Sequence, residues 1–231
     1  MKILQFLRDW SEVWALLIPL TVILVYKPRG NNLRPLVLYS ILAFVFNFLA
    51  IFMVEYYYLI PRSWMKYGNN IFYNLHSFIM VLFISWYIIA VRSYKYLVLL
   101  KSLLAVYLAF VLVNFTFWES PMILSTHHFT VGSIVLLVMC LFYFFSSMLE
   151  ESQINWLRHP SFIICAGVCL YEAITFFIFL FIYPLYNTTN DKELSFAMLM
   201  MRVYQISFVI FCILLAIGLY QYCDKKKISP S

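Results

Sequence analysis

The chain has 231 residues, of which 65% are hydrophobic and only 11% are charged. Soluble domains carry roughly 25% charged residues, so this composition excludes an ordinary soluble domain and predicts one polytopic membrane domain, residues 1–231, surrounded by lipid bilayer. The net charge of +6 does not indicate nucleic-acid binding, because the basic residues fall in short loops between apolar stretches, as membrane orientation requires.

Seven apolar stretches follow one another along the chain, and each approaches the length of about 20 residues that a helix needs to cross the hydrocarbon core. The predicted fold class is therefore all-α, a bundle of seven transmembrane helices. The predicted spans are residues 10–26, 35–53, 71–91, 96–118, 127–149, 161–183 and 199–222.

The loop charges predict how the bundle is oriented. Seven spans put the two termini on opposite sides of the membrane. Of the 16 Lys and Arg residues, 6 fall on the side of the N-terminus and 10 on the side of the C-terminus. The side richer in Lys and Arg is the cytoplasmic one, so we expect the N-terminus outside and the C-terminus in the cytoplasm.

The sixth span contains the most unusual residue of the chain. Between Pro160 and Pro184 lie 23 residues, and Glu172 is the only formally charged one, with 11 residues on each side. An acidic residue near the bilayer midplane costs roughly 2.5–3.5 kcal/mol on insertion scales. We therefore expect Glu172 to be neutral at pH 7 and to face the bundle interior, hydrogen-bonded to a polar side chain of a neighbouring span. It serves there either as a structural carboxyl group or as a proton or ligand site.

Spans two and six begin alike, which indicates an internal repeat. A Leu-Arg-Pro sequence ends at Pro35 and a Leu-Arg-His-Pro sequence at Pro160, and the polar residues Asn47 and Glu172 each follow twelve residues later. Spans three and seven also share a Tyr-Asn or Tyr-Gln start. These matches favour two parallel units of three helices joined by span four, an arrangement found in transporters.

Most polar residues of the spans fall in their outer thirds. Polar groups at membrane depth usually face the bundle interior or a water-filled cavity, so we expect a pocket open to the outside, lined by spans three, five, six and seven. Glu172 is predicted at its floor and Glu12 at its rim. The predicted members of this ligand or proton pocket are Glu172, Asn47, Asn74, His76, Asn114, Arg202, Gln205 and Tyr171.

Metal and cofactor sites have little support in the sequence. His76, His127, His128 and Glu119 are residue types that suit zinc, but no HxxxH or HxxE motif supports them. The adjacent residues His127 and His128 point about 100° apart on a helix. No P-loop, GxSxG or Gly-rich nucleotide fingerprint is present, and the last span lacks the lysine of retinal proteins. We expect no cofactor, no metal and no catalytic residue.

Three segments carry a resemblance to a known group of proteins. They are NNLRPLVLYSIL before and within span two, NNIFYNLHSF opening span three, and WLRHPSFIICAGVCLYEAITFF opening span six. The pattern resembles uncharacterised seven-helix proteins of the bacterial inner membrane, often encoded beside or fused to sensor histidine kinases. That group often has an acidic residue in span three, where this sequence has Ser77. The resemblance implies a sensory or accessory role with a sensor kinase as partner.

Three functional hypotheses follow, and the first is a non-enzymatic membrane sensor or accessory subunit with an outward-facing polar pocket and a cytoplasmic surface for a partner protein. The second is a small-solute or proton-coupled transporter built from three, one and three helices. The third is an intramembrane enzyme. Few polar residues lie on the cytoplasmic side of Glu172, which favours the sensor over the transporter. The sequence is compatible with a homo-oligomer.

Overall fold

The computed structural model describes residues 9–28, 30–56, 69–91, 96–149, 159–186 and 191–228, with side chains given outside residues 183–192 and 224–228. In these ranges the chain forms helices and no strands, which confirms the all-α prediction for this part. The helices are α1 (Ser11–Tyr26), α2 (Arg34–Glu55), α3 (Asn70–Val91), α4 (Leu97–Val113, continued by the π-helical turn Asn114–Trp118), α5 (Thr126–Leu149), α6 (Pro160–Tyr186) and α7 (Asp191–Ile228).

Six of these helices, α2 to α7, are long and apolar enough to cross a membrane, which makes this an integral membrane protein. α1 is also apolar but has only 16 residues, and its role as a seventh span stays a prediction. The first five helices lie within two residues of the predicted spans, whereas α7 begins at Asp191 rather than at residue 199. Residue 199 is predicted as the start because the residues before it are polar. The helix begins earlier because a helix can continue beyond the hydrocarbon core.

Six of the helices form a ring. Going around it, the packing order is α1, α2, α3, α5, α6 and α7, and α7 packs back on α1. α4 lies outside the ring against α3 and α5, with only Leu100 and Tyr107 buried on its regular α-helical part. Successive helices run in opposite directions, so α1, α3, α5 and α7 all begin at one end of the bundle. We call this end the amino-terminal end and the opposite one the carboxyl-terminal end.

Aromatic side chains fill the middle of the ring. Tyr39 of α2, His76 of α3, Tyr171 of α6, and Phe208 and Phe211 of α7 are all at most 3% exposed. Their ring centroids lie 5.5–6.2 Å from those of their neighbours, a spacing typical of tilted and edge-to-face aromatic pairs. These contacts join four helices across the interior.

Small residues let α6 and α7 approach each other closely. A Cβ atom added at Gly218 would lie 2.3 Å from Cγ1 of Ile164 and 3.1 Å from the carbonyl oxygen of Pro160. At Gly167 an added Cβ would lie 2.9 Å from Cβ of Leu214. Van der Waals packing drives helix association in membranes, so these glycines set the distance between α6, which carries Glu172, and α7.

We predict that Gly218→Ala lowers the stability of the protein by about 1–3 kcal/mol, since overpacking a close contact costs about this much. Much of this loss should disappear when the same change is made in an Ile164→Ala background, because the methyl group then has room. Thermal unfolding of the four proteins in detergent gives the coupling energy. Gly30→Ala is the control, since its Cβ meets nothing nearer than 4.0 Å. Equal effects in both backgrounds would contradict the prediction.

Candidate functional site

The interior of the ring contains a small polar cavity beside Glu172. Glu172 lies near the middle of α6 and is 4% exposed. The space in this cavity that is open to the centre of a water molecule is about 10 Å³. Roughly one water molecule therefore fits in it. The lining of the cavity comes from α3, α5 and α6, and includes His76, Met80, Phe129, Ser133, Tyr171, Glu172 and Thr175.

Three different polar groups meet at this cavity. The Nε2 atom of His76 is buried and has no hydrogen-bond partner in the protein. The Ser133 hydroxyl lies close enough to the Glu172 carboxyl group to interact with it, although it is not placed to form a regular hydrogen bond. A carboxyl group, an imidazole nitrogen and a hydroxyl group around one small space can together hold a proton or one small polar molecule.

The described lining of the cavity offers Glu172 no permanently charged partner. The residues that line the cavity in the described part of the chain include no lysine or arginine. A carboxylate without a counter-ion or sufficient hydrogen bonds is costly in hydrocarbon, whereas a protonated carboxyl group requires only one or two hydrogen bonds. The geometry therefore favours the neutral form of Glu172.

A pair of hydrogen-bonded tyrosines connects this cavity to α7. The Tyr171 hydroxyl donates to the Tyr204 hydroxyl at 2.7 Å, and both side chains are at most 5% exposed. Next to Glu172 on α6, Thr175 Oγ1 donates to the Tyr171 carbonyl oxygen at 2.9 Å. This hydrogen bond therefore links Tyr171, which lines the cavity, to Tyr204 of α7.

Glu12 is a second buried acid, which corrects its predicted position at the rim. It is 7% exposed and lies close enough to Tyr204 and Tyr73 to interact electrostatically with both. Glu12 is buried because α7 packs along α1. The sequence contained a signal for this, since Glu12 shares one helix face with the buried residues Leu16 and Pro19.

Asn74, predicted for the pocket, instead ties down the segment between α4 and α5. Its Nδ2 atom donates to the carbonyl oxygens of Pro121 and Ile123 at 2.9 and 2.7 Å. Its Oδ1 atom accepts from the backbone N–H of Ser125 at 3.1 Å. The side chain is 4% exposed, so its amide group is used on loop backbone at the amino-terminal end.

Asn114 belongs to the same loop cluster. Its Nδ2 atom donates to Oε2 of Glu119 and to Oγ of Ser125, both at 3.1 Å, and the Ser125 hydroxyl donates to the same Glu119 oxygen. Ser125 Oγ also accepts from the backbone N–H of His128 at 3.2 Å, which is the N-cap interaction that begins α5. Through these hydrogen bonds Asn114 connects the end of α4 to the start of α5.

The four candidate metal ligands do not come together as one group. His128 is buried, where its Nε2 donates to the Asn74 carbonyl oxygen at 3.3 Å and its Nδ1 accepts from Tyr107 at 3.4 Å. His127 is exposed, with Nε2 3.8 Å from Oε1 of Glu119, and His76 lies in the ring. Among the described residues, no three His, Cys, Asp or Glu side chains are grouped so that they could hold a metal ion.

The remaining predicted pocket residues lie in two further places. Arg202 and Gln205 line a groove between α1 and α7 on the outside of the ring. Asn47 is buried in α2, where its Nδ2 donates to the Ala43 carbonyl oxygen at 2.9 Å and its Oδ1 has no partner in the protein. Of the predicted set, only Glu172, His76 and Tyr171 meet at one cavity.

We predict that Asn74→Ala lowers the free energy of unfolding by about 1–3 kcal/mol, because it leaves buried backbone groups of the loop without partners. Thermal unfolding in detergent measures the loss. Asn70→Ala is the matched control, since Asn70 makes a single contact of 3.5 Å to the same loop and should change stability by less than about 0.5 kcal/mol. Similar losses in both variants would show that the Asn74 network does not hold the loop.

Comparison with known proteins adds no family. No protein-family model matches this chain, and no curated protein or solved structure is significantly similar to it.

Proposed function

We propose that this chain is a non-enzymatic membrane sensor or accessory subunit, and that Glu172 is its responsive group. The observation that carries the proposal is the buried cavity in which Glu172 meets His76 and Ser133 without a cation. Taking up or releasing a proton or a small polar molecule there changes the charge or hydrogen bonding at the centre of the ring. The aromatic contacts between α2, α3, α6 and α7 can pass that change to the surface.

Packing at the carboxyl-terminal end favours a sensor over a transporter. The Tyr87 and Tyr222 hydroxyl groups lie 3.3 Å apart, and Tyr222 also hydrogen-bonds to Ser161. These contacts join α3, α6 and α7 between Glu172 and the carboxyl-terminal end. In the described part of the chain these hydrogen bonds hold the three helices together at that end, which supports a site that does not conduct.

We further propose that α1 is a seventh membrane span and that the amino-terminal end faces outward. The apolar sequence of α1 and its packing on α2 and α7 support the first statement. The unequal distribution of Lys and Arg supports the second. Eight of the sixteen residues counted there lie outside the described residues: Lys2, Arg8, Arg29, Arg62, Lys66, Arg92, Lys95 and Arg158. The carboxyl-terminal end then forms the cytoplasmic surface for a partner, for which the sequence resemblance suggests a sensor kinase.

The runner-up is a small-solute or proton-coupled transporter, and the order of helices in the ring supports it. A rotation of half a turn exchanges α1, α2 and α3 with α5, α6 and α7 in the packing order and leaves α4 outside. Not every pair of positions 125 residues apart is buried in both α2 and α6, since Phe46 with Tyr171 and Ile51 with Phe176 differ, for example. Seven pairs are buried in both helices. These pairs are Pro35 and Pro160, Leu36 and Ser161, Tyr39 and Ile164, Ser40 and Cys165, Ala43 and Val168, Asn47 and Glu172, and Ala50 and Thr175. They support the proposed parallel repeat, which transporters use.

Glu172→Gln keeps the shape and neutral hydrogen bonding of a protonated carboxyl group, so we predict that the variant folds as the wild type does. Infrared difference spectroscopy should show a protonated-carboxyl band in the wild type that the variant lacks. Glu55→Gln is the control, since Glu55 is an exposed acid at the end of α2 and its replacement should leave the band unchanged. A wild type without the band would mean that Glu172 is ionised and would contradict the proposal.

Flux measurements distinguish the two candidate functions. In proteoliposomes containing a pH-sensitive dye, we predict no protein-dependent proton movement in either the wild type or the Glu172→Gln variant. Proton flux in the wild type that is lost in Glu172→Gln and kept in Glu55→Gln would overturn the sensor proposal in favour of the transporter.

The orientation is tested with reporter fusions. A fusion of a periplasmic phosphatase to the C-terminus in a bacterial host should be inactive, because the enzyme folds correctly only outside the cytoplasm, while a cytoplasmic reporter at the same place should be active. A fully active phosphatase fusion would reverse the orientation and place the amino-terminal end in the cytoplasm.

A further inference from the structure

A groove separate from the Glu172 cavity runs along the outer seam between α1 and α7. Its volume is about 510 Å³, within the range of about 300–1,000 Å³ that small-molecule sites have. Because α7 is long and apolar enough to cross the membrane, a groove on its outer side opens toward lipid. The residues that define its chemistry are Ser11 of α1 and Arg202, Gln205, Ile206, Val209 and Ile210 of α7.

The groove changes from polar to apolar along its length. Arg202 and Gln205 lie level with the first turn of α1, at the amino-terminal side. Ile206, Val209 and Ile210 follow one to two helical turns further toward the carboxyl-terminal end. A ligand that matches this groove has a polar head and an apolar chain. The chain extends from the polar end of the groove toward the interior of the membrane.

Arg202 gives the polar part of the groove its charge. The side chain is exposed, and within the ranges that the structure describes no carboxylate lies within ion-pair distance of it. A guanidinium group near the membrane–water boundary keeps its charge and directs it toward the headgroups. It binds phosphate through short, charge-assisted hydrogen bonds, so an anionic head is favoured here.

Ser11 provides an independent sign of a missing partner. Ser11 is only 7% exposed, it lines the groove, and its hydroxyl oxygen has no hydrogen-bond partner among the residues that the structure describes. Buried hydroxyl groups are almost always hydrogen-bonded, and an exception calls for an explanation. A ligand head placed between α1 and Arg202 would supply the acceptor that Ser11 lacks.

We infer that this groove binds an anionic phospholipid from the membrane leaflet at the amino-terminal end. Its phosphate lies at Arg202 and Ser11, and one of its acyl chains lies along Ile206, Val209 and Ile210. The bilayer supplies this ligand at high local concentration, and the positive charge selects the anionic lipids within it. The site rests on the surface of α1 and α7 alone and does not depend on the role proposed for Glu172.

The test is native mass spectrometry of the purified protein with added phosphatidylglycerol or phosphatidylcholine. The wild type should bind one phosphatidylglycerol molecule roughly tenfold more tightly than Arg202→Gln does, since a hydrogen bond to a charged group is worth about one factor of ten. Arg202→Lys should retain part of the affinity. Lys101→Gln is the control, since it removes the same charge from an exposed position on α4.

A second variant tests the apolar half of the groove without changing the charge. Val209→Phe fills the path of the acyl chain and should also weaken phosphatidylglycerol binding, while Ile134→Phe, at an exposed position on α5, should not. Equal binding of the two lipids, or equal losses in Arg202→Gln and Lys101→Gln, would overturn the inference. Normal binding by Val209→Phe would show that the lipid lies elsewhere.

Discussion

The structure depends on one constraint, which is that hydrocarbon cannot solvate polar groups. Every polar side chain placed at membrane depth must find its partners inside the protein or carry a cost of several kcal/mol. Glu172 is one of the buried acids that meet this constraint. Its carboxyl group is enclosed between α3, α5 and α6, and the described cavity lining contains no lysine or arginine that could act as a counter-ion. With no such counter-ion in the described lining, the neutral form of this carboxyl group is the less costly one.

The polar residues divide into three places with different roles. In the ring, Glu172 and His76 face a space that holds about one water molecule. In the loop cluster, Asn74 satisfies three backbone groups of the segment that leads from α4 to α5. On the outer seam, Arg202 faces the lipid. In the described part of the chain, buried polar atoms without a hydrogen-bond partner include His76 Nε2 in the ring, Asn114 Oδ1 in the loop cluster and Ser11 Oγ at the outer seam. His76 and Ser11 also line a cavity or groove, where a ligand could supply the missing partner.

Close helix contacts and large aromatic side chains make the ring tightly packed. Gly218 and Gly167 bring α6 and α7 so close that an added methyl group would collide with the opposite helix. Large aromatic side chains, among them Tyr39 and Phe211, fill the space across the ring. Tightly packed interiors change between discrete arrangements and do not deform continuously. A change of charge at Glu172 would therefore move helices as units. α4, outside the ring, has few buried residues to hold it during such a movement.

The sequence by itself determined the helices, because spans are encoded by runs of apolar residues whose length the bilayer fixes. It also determined that Glu172 is buried near the middle of its helix, since nothing else in that stretch is charged. It did not determine which polar residues meet. Asn74 and Arg202 are both polar residues near span ends, yet one turns to a loop and the other to lipid, because this depends on the rotation of each helix and on its neighbours in the ring. Glu12 was misplaced for the same reason: only the tertiary structure shows that α7 packs along α1 and shields the first turn of that helix from water.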